Sequence, residues 1–176
     1  MGWGGWRLRA IAINCANPPR LVFPLPTLYL RTVSFWRVVF MFGTFQRTCL
    51  RIEVPVAEQL LRESLTRSDR LQQWLFPQRL SAGLPEQLHA GLTFTSQLGM
   101  VQVRHYIQQL DEQRLCLILS QGIDGFHEWR WGDGWVQSRL EGVSALPLAL
   151  GQTLALVRLR QFLMTHSQAH RVGMGG

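Results

Sequence analysis

The chain has no lysine; all 18 of its basic residues are arginine. That absence reads as a coding bias toward GC-rich codons rather than as chemistry. Cysteine is scarce as well. Cys15, Cys49 and Cys116 stand far apart, are odd in number and form no CxxC or CxxxC pair, which argues against a zinc site and against a disulfide framework. Cys116 lies within Leu115-Cys116-Leu117-Ile118-Leu119 and reads as a buried small hydrophobe. A reducing, cytoplasmic compartment is the expectation. Long uncharged apolar runs are also missing. Residues 21–45 come nearest, but Arg31 and Arg37 interrupt them and Pro24 and Pro26 break their start, so a spanning helix is not expected. A secretory signal is not expected either, because Ala10-Ile11-Ala12-Ile13 is too short for its apolar core.

Acidic residues are absent from residues 1–40, which carry Arg7, Arg9, Arg20, Arg31 and Arg37. The formal charge of +7 suggests a nucleic-acid partner, but five of those charges sit in this first segment. Residues 41–176 hold thirteen arginines against eleven acids, a net +2, too little excess for a polyanion site. No nucleic-acid partner is therefore expected. Three readings of residues 1–40 stay open: a segment outside the natural protein with Met41 as the true start, a transit-like segment or peripheral membrane contact, or a segment packed on the domain.

What is present is a strong β pattern with helices on either side of it. Trp129 and Trp131 are two residues apart and share a strand face, and Gly132-Asp133-Gly134 supplies the chemistry of a tight hairpin turn before Trp135 and Val136. Upstream, residues 46–54 read as a first strand. Pro55 suits the first turn of a helix, and Val56, Leu60, Leu61, Ser64 and Leu65 follow helical spacing. A second short helix, capped by Thr66 or Ser68, carries Leu71, Trp74 and Leu75 inward and stops at Phe76-Pro77. Residues 77–88 are irregular and leave the strand count open. Strands follow at Leu92-Thr93-Phe94-Thr95, at residues 101–108 with Val101, Val103, His105 and Ile107 in phase, at residues 114–120, and in the tryptophan hairpin. Pro147 opens a last helix to about Thr165, with Leu148, Ala155, Leu156, Leu159, Phe162 and Leu163 on one face and Gln152 within that stripe. Residues 166–176 lack periodicity and read as a disordered tail.

Strands in series with helices apart from them imply an α+β fold with an antiparallel sheet, and the last helix is the one element long enough to cover its apolar face. The order resembles the helix-grip fold of the START-like superfamily, which includes polyketide cyclases. The residues that carry the resemblance are Ile52-Glu53-Val54-Pro55-Val56-Ala57, Leu71-Gln72-Gln73-Trp74, Gly91-Leu92-Thr93-Phe94 and Leu146-Pro147-Leu148. From Asp124-Gly125 to Leu163 the chain is similar to small cyanobacterial members. The resemblance covers residues 45–165, within a domain set at 41–165. It implies a curved sheet wrapped around the long helix, with two short helices after the first strand and a cavity for apolar molecules such as lipids or polyketides. It brings no general catalytic motif, so no catalytic residue, cofactor or metal is carried over.

The expected function is binding of a hydrophobic small molecule, lipid or polyketide- or isoprenoid-like, between sheet and helix. Trp74, Phe94, Trp129, Trp131 and Leu159 are the expected apolar contacts, against the plain alternative that each fills the core. Gln152 needs a polar partner, which is a ligand, a water or a strand carbonyl. His105 faces inward by phase and is a candidate base or a satisfied core histidine. His127-Glu128 is no metal motif, because adjacent strand residues face opposite sides. The Gly-x-Gly of the hairpin lacks the strand–turn–helix setting of a phosphate loop. Two rivals remain: a cyclase- or dehydratase-like enzyme using His105 or Gln152, and a structural or membrane-surface protein.

Overall fold

The computed structural model describes residues 43–172, with side chains to Ser167. The readings of residues 1–40 lie outside the described residues. In chain order the elements are β1 (Thr44–Glu53), α1 (Glu58–Thr66), α2 (Ser68–Leu75), β2 (Arg79–Leu80), β3 (Thr93–Leu98), β4 (Val101–Leu110), β5 (Arg114–Gln121), β6 (Asp124–Gly132), β7 (Trp135–Ser144) and α3 (Leu148–Val172). The strands form one antiparallel sheet in the order β1-β7-β6-β5-β4-β3-β2. Successive hairpins build it from β2 to β7, and β1 closes onto β7 from Thr44↔Ser144 to Glu53↔Trp135. This is the expected α+β helix-grip architecture: an open curved sheet gripping one long helix, with two short helices after the first strand.

The two-residue side-chain period sorts each strand into an inner and an outer face. One inner row runs Leu50, Ser138, Trp129, Leu115 and the next runs Thr48, Leu140, His127, Leu117, Ile107. A third runs Gln46, Gly142, Gly125, Leu119, His105, Phe94. Gly125 and Gly142 face each other across β6 and β7, and a Cβ on Gly142 would lie 2.6 Å from the Asp124 carbonyl oxygen. Only glycine permits that approach, and the pair also removes two side chains from the inner face.

α3 lays Leu148, Gln152, Leu156, Leu159 and Leu163 into the sheet, all buried, and leaves Leu150, Leu154 and Val157 outside. It packs against β1, β7, α1 and α2. The helix runs through Val172, seven residues past the expected end and through most of the stretch read as a disordered tail. No glycine or proline interrupts residues 152–172, so helical hydrogen bonding continues past the last buried leucine.

The hairpin turn also fixes where α1 begins. Gly134 alone in Gly132-Asp133-Gly134 takes a positive φ, +77°, and its backbone exchanges hydrogen bonds with Val54 and Val56 (Val54 N→Gly134 O 2.9 Å, Gly134 N→Val56 O 3.2 Å). Val56 N also donates to the Val54 carbonyl at 2.7 Å, a tight turn about Pro55, so residues 54–56 are held outside the helix. The helix starts at Glu58 rather than at Pro55. Neither Thr66 nor Ser68 caps α2. Thr66 Oγ1 donates to the Arg62 carbonyl and accepts from Gln87 Nε2, and the cap position is Arg67. Trp74 Nε1 donates to the Ser64 carbonyl at 2.8 Å and ties α2 to α1. In the region left open, Leu80 pairs with Ser96 and Arg79 with Gln97 as the two-residue β2.

Candidate functional site

A cavity of about 280 Å³ lies between the inner face of the sheet, α2 and the first turns of α3. Its wall is leucine, valine and aromatic carbon from β3 to β7, with Trp74 and Leu75 from α2 and Leu148, Gly151 and Ala155 from α3. The polar side chains on it are Gln78, Ser96, His105, His127 and Gln152, and among the described residues no charged side chain lines it. A wall of this kind removes an apolar molecule from water and orients it through a few polar groups.

Five of the seven residues expected at the site border this space: Trp74, Phe94, His105, Trp129 and Gln152. Trp74 and Trp129 meet edge to face, centroids 6.1 Å apart, and Phe94 stacks on His105 at 4.7 Å and 9°. Trp131 and Leu159 are not brought to the cavity. Both are completely buried. Trp131 lies two residues further along β6, opposite Val136, toward the hairpin end where α1 packs on β6. Leu159 lies about two turns beyond Gln152 on α3. Each shares a face with a cavity residue, but the space ends before reaching it.

Gln152 finds its partners within the protein. Its Nε2 donates to the Ser138 carbonyl at 2.7 Å and to Ser138 Oγ at 2.8 Å, and its Oε1 accepts from Thr48 Oγ1 at 2.8 Å. The strand-carbonyl alternative is therefore the one realised. His105 is half-buried, its Nε2 2.7 Å from Ser96 Oγ, and Ser96 Oγ accepts from Gln78 Nε2 at 2.6 Å. Burial pushes its imidazole down to about 4, so it is neutral at physiological pH. His105 Nδ1 is buried and has no hydrogen-bond partner among the described residues.

Sequence reasoning set His127 aside as half of a failed metal motif and missed its place in the cavity. His127 shares the face of Trp129 and Trp131, borders the cavity, and sets Nε2 2.8 Å from Ser138 Oγ. Burial, with the neighbouring His105 adding to it, pushes its imidazole down to about 3. The two-residue phase that placed the tryptophans would have found it. Ser96 and Ser138 share the phase of Phe94 and of Val136 in the same way. Gln78 had no such signal, since it precedes a two-residue strand. Among the described residues no three His, Cys, Asp or Glu side chains gather as a metal-ligand set.

No protein-family model matches the sequence, and no curated protein sequence matches it. Solved structures do. DynU16, a protein of the dynemicin biosynthetic locus, superposes with a TM-score of 0.53 at 18% identity over 69% of this chain and 48% of its own, so the chain spans about half of it. The SA2116 protein of Staphylococcus aureus, of unknown function, superposes at 0.56 with 10% identity over 72% of this chain and 98% of its own. The Aha1 dimer from Colwellia psychrerythraea gives 0.50 with 13% identity over 67% and 96%. The shared fold is the helix grip. At these identities the likeness concerns the fold alone.

Proposed function

We propose that this protein binds a hydrophobic small molecule, lipid or polyketide- or isoprenoid-like, in the cavity between the sheet and α3. The observation that carries the reading is the cavity itself: about 280 Å³ walled by apolar side chains, with no charged side chain from the described residues on its lining. An apolar molecule entering this space would remove that apolar wall from water, which favours its binding. The same reading assigns the chain to the START-like superfamily, beside the small cyanobacterial members that its sequence resembles, and gives it neither nucleic acid nor a cofactor as partner. Native mass spectrometry of the purified protein, followed by organic extraction, tests it. A co-purifying apolar molecule, or quenching of Trp74 and Trp129 fluorescence by added hydrophobic ligands, is expected. Failure to retain or bind any hydrophobe would sink the proposal.

A second reading, acid–base catalysis in the cyclase or dehydratase class, is favoured by the placement of His105 and His127 on one cavity wall. Imidazoles held down near 4 and 3 are weak bases at neutral pH, which ranks this reading below ligand binding.

A further inference from the structure

The cavity reaches the surface at one place. Of the residues that line it, Leu98, Pro147 and Gly151 are exposed, and every other one is buried or half-buried. These three set the opening between the β3–β4 hairpin and the first turn of α3. A Cβ on Gly151 would meet nothing within 4 Å, so the space beside it is open. The rim of the opening is apolar. Leu98 is 53% exposed, Met100 at the tip of the same hairpin 85%, and Leu150 beside Gly151 57%. Large apolar side chains gathered in water around the mouth of a cavity mark a contact surface rather than scattered exposure.

The charge around the rim has one dominant sign. Residues 87–110 and 142–172, which supply the hairpin and α3, hold four arginines and no acid. One of the four, Arg158, sets Nη1 3.5 Å from the carbonyl of Leu75, a cavity residue. Residues 1–40, with five arginines and no acid, join the described fold at the same end, because Thr44 pairs with Ser144, three residues before Pro147. Against these stands Asp124, in the β5–β6 turn. A second copy of the chain would set arginine against arginine across this face, whereas an anionic surface complements it.

We propose that this end of the protein docks on a lipid bilayer with anionic headgroups, with Leu98, Met100 and Leu150 entering the boundary between headgroups and acyl chains. The opening then faces the bilayer, and an apolar molecule passes between membrane and cavity without crossing water. The docking surface stands on the exposed rim and its charge. The passage of a ligand through it rests on the cavity reading above.

The test is co-sedimentation of the full chain at neutral pH with two kinds of vesicle, phosphatidylcholine alone and equal parts of phosphatidylcholine and phosphatidylglycerol. Stronger binding to the anionic vesicles, weakened by added salt, is expected. Met100→Gln combined with Leu150→Gln removes two rim side chains that the fold does not bury, so the variant is expected to keep its thermal midpoint. Its partition onto anionic vesicles is expected to fall about tenfold. Tyr106→Thr, on the outer face of the sheet, removes an exposed ring away from the opening and is expected to bind as the wild type does. No binding to anionic vesicles, equal binding to both kinds, undiminished binding of the double variant, or an equal loss in Tyr106→Thr would each overturn the proposal. So would a lipid-free dimer, seen by analytical ultracentrifugation, that the double variant dissolves, since the face would then belong to a second copy. Uptake of 2-decanone from solution, followed by tryptophan fluorescence, separates the two readings. Uptake without docking would leave the cavity reading standing and overturn the docking surface. Docking without uptake would overturn the cavity reading alone.

Discussion

His105 and His127 are uncharged at neutral pH because burial disfavours the imidazolium and, among the described residues, no acid is shown to stabilise it. That has a consequence for stability with a definite sign. In the unfolded chain both histidines titrate near 6.5, whereas in the folded protein they resist protonation down to about 4 and about 3. As pH falls below 6.5 the unfolded state binds protons that the folded state refuses, so stability is complete above 6.5 and declines toward 4. The slope is at most about 1.4 kcal/mol per pH unit for each histidine. Urea midpoints measured from pH 7 to pH 5 are expected to fall, and to fall less in His105→Phe; a flat wild-type profile would contradict the burial of these rings. On the outer face, Glu128 is 4% exposed and accepts from Arg114 Nε at 2.7 Å and Arg130 Nε at 3.0 Å. Glu128→Ala removes the shared acceptor, and the half-exposed arginines can turn to water. The expected loss is about 1–3 kcal/mol in urea denaturation, below that of a fully buried pair.

α3 is the element on which burial and exposure are most sharply divided. Leu159 is completely buried and Leu154 is 50% exposed, although they are five residues apart on one helix. Leu159→Ala is expected to cost about 2–5 kcal/mol, because its space cannot be refilled from the sheet. Leu154→Ala is expected to stay within about 0.5 kcal/mol. Thermal or chemical denaturation of the pair checks the division, and equal losses would mean that the helix is rotated from the position described. Much at this scale was legible. The order of elements, the phase of β4, the shared face of Trp129 and Trp131 on β6, and the gripping helix all follow from periods of 2 and 3.6. The start of α1 was not, because it depends on backbone bonds from Gly134 to Val54 and Val56, 80 and 78 residues away in sequence. β2 was not either, since two residues are too few to show a period.

At the scale of the whole molecule, the sheet and α3 enclose more space than their side chains fill. Ala155 borders that space from the helix. Ala155→Phe places a ring in it without displacing a large neighbour, so the variant is expected to keep its thermal midpoint within a few degrees. The same ring is expected to abolish uptake of an apolar probe such as 2-decanone. Fluorescence titration of the folded variant checks this, and undiminished uptake would place the binding site elsewhere.

The sequence alone determined the class of fold, because the alternation of side chains along a strand and their recurrence along a helix are local properties of the chain. It placed Trp74, His105 and Gln152 inward for the same reason, and offered Phe94 and Trp129 as cavity or core groups. Only the tertiary structure decided which inward groups meet empty space and which meet one another. Trp131 and Leu159 share a face with cavity residues yet lie in solid core, since the boundary of a cavity is set by all of its walls at once. Pairing is a relation across the sheet, and for that reason the two glutamine–serine–histidine chains had no sequence signature. Gln78 and Ser96 are 18 residues apart and Ser138 and His127 are 11 apart; antiparallel pairing and the turn into β2 bring them within hydrogen-bond distance.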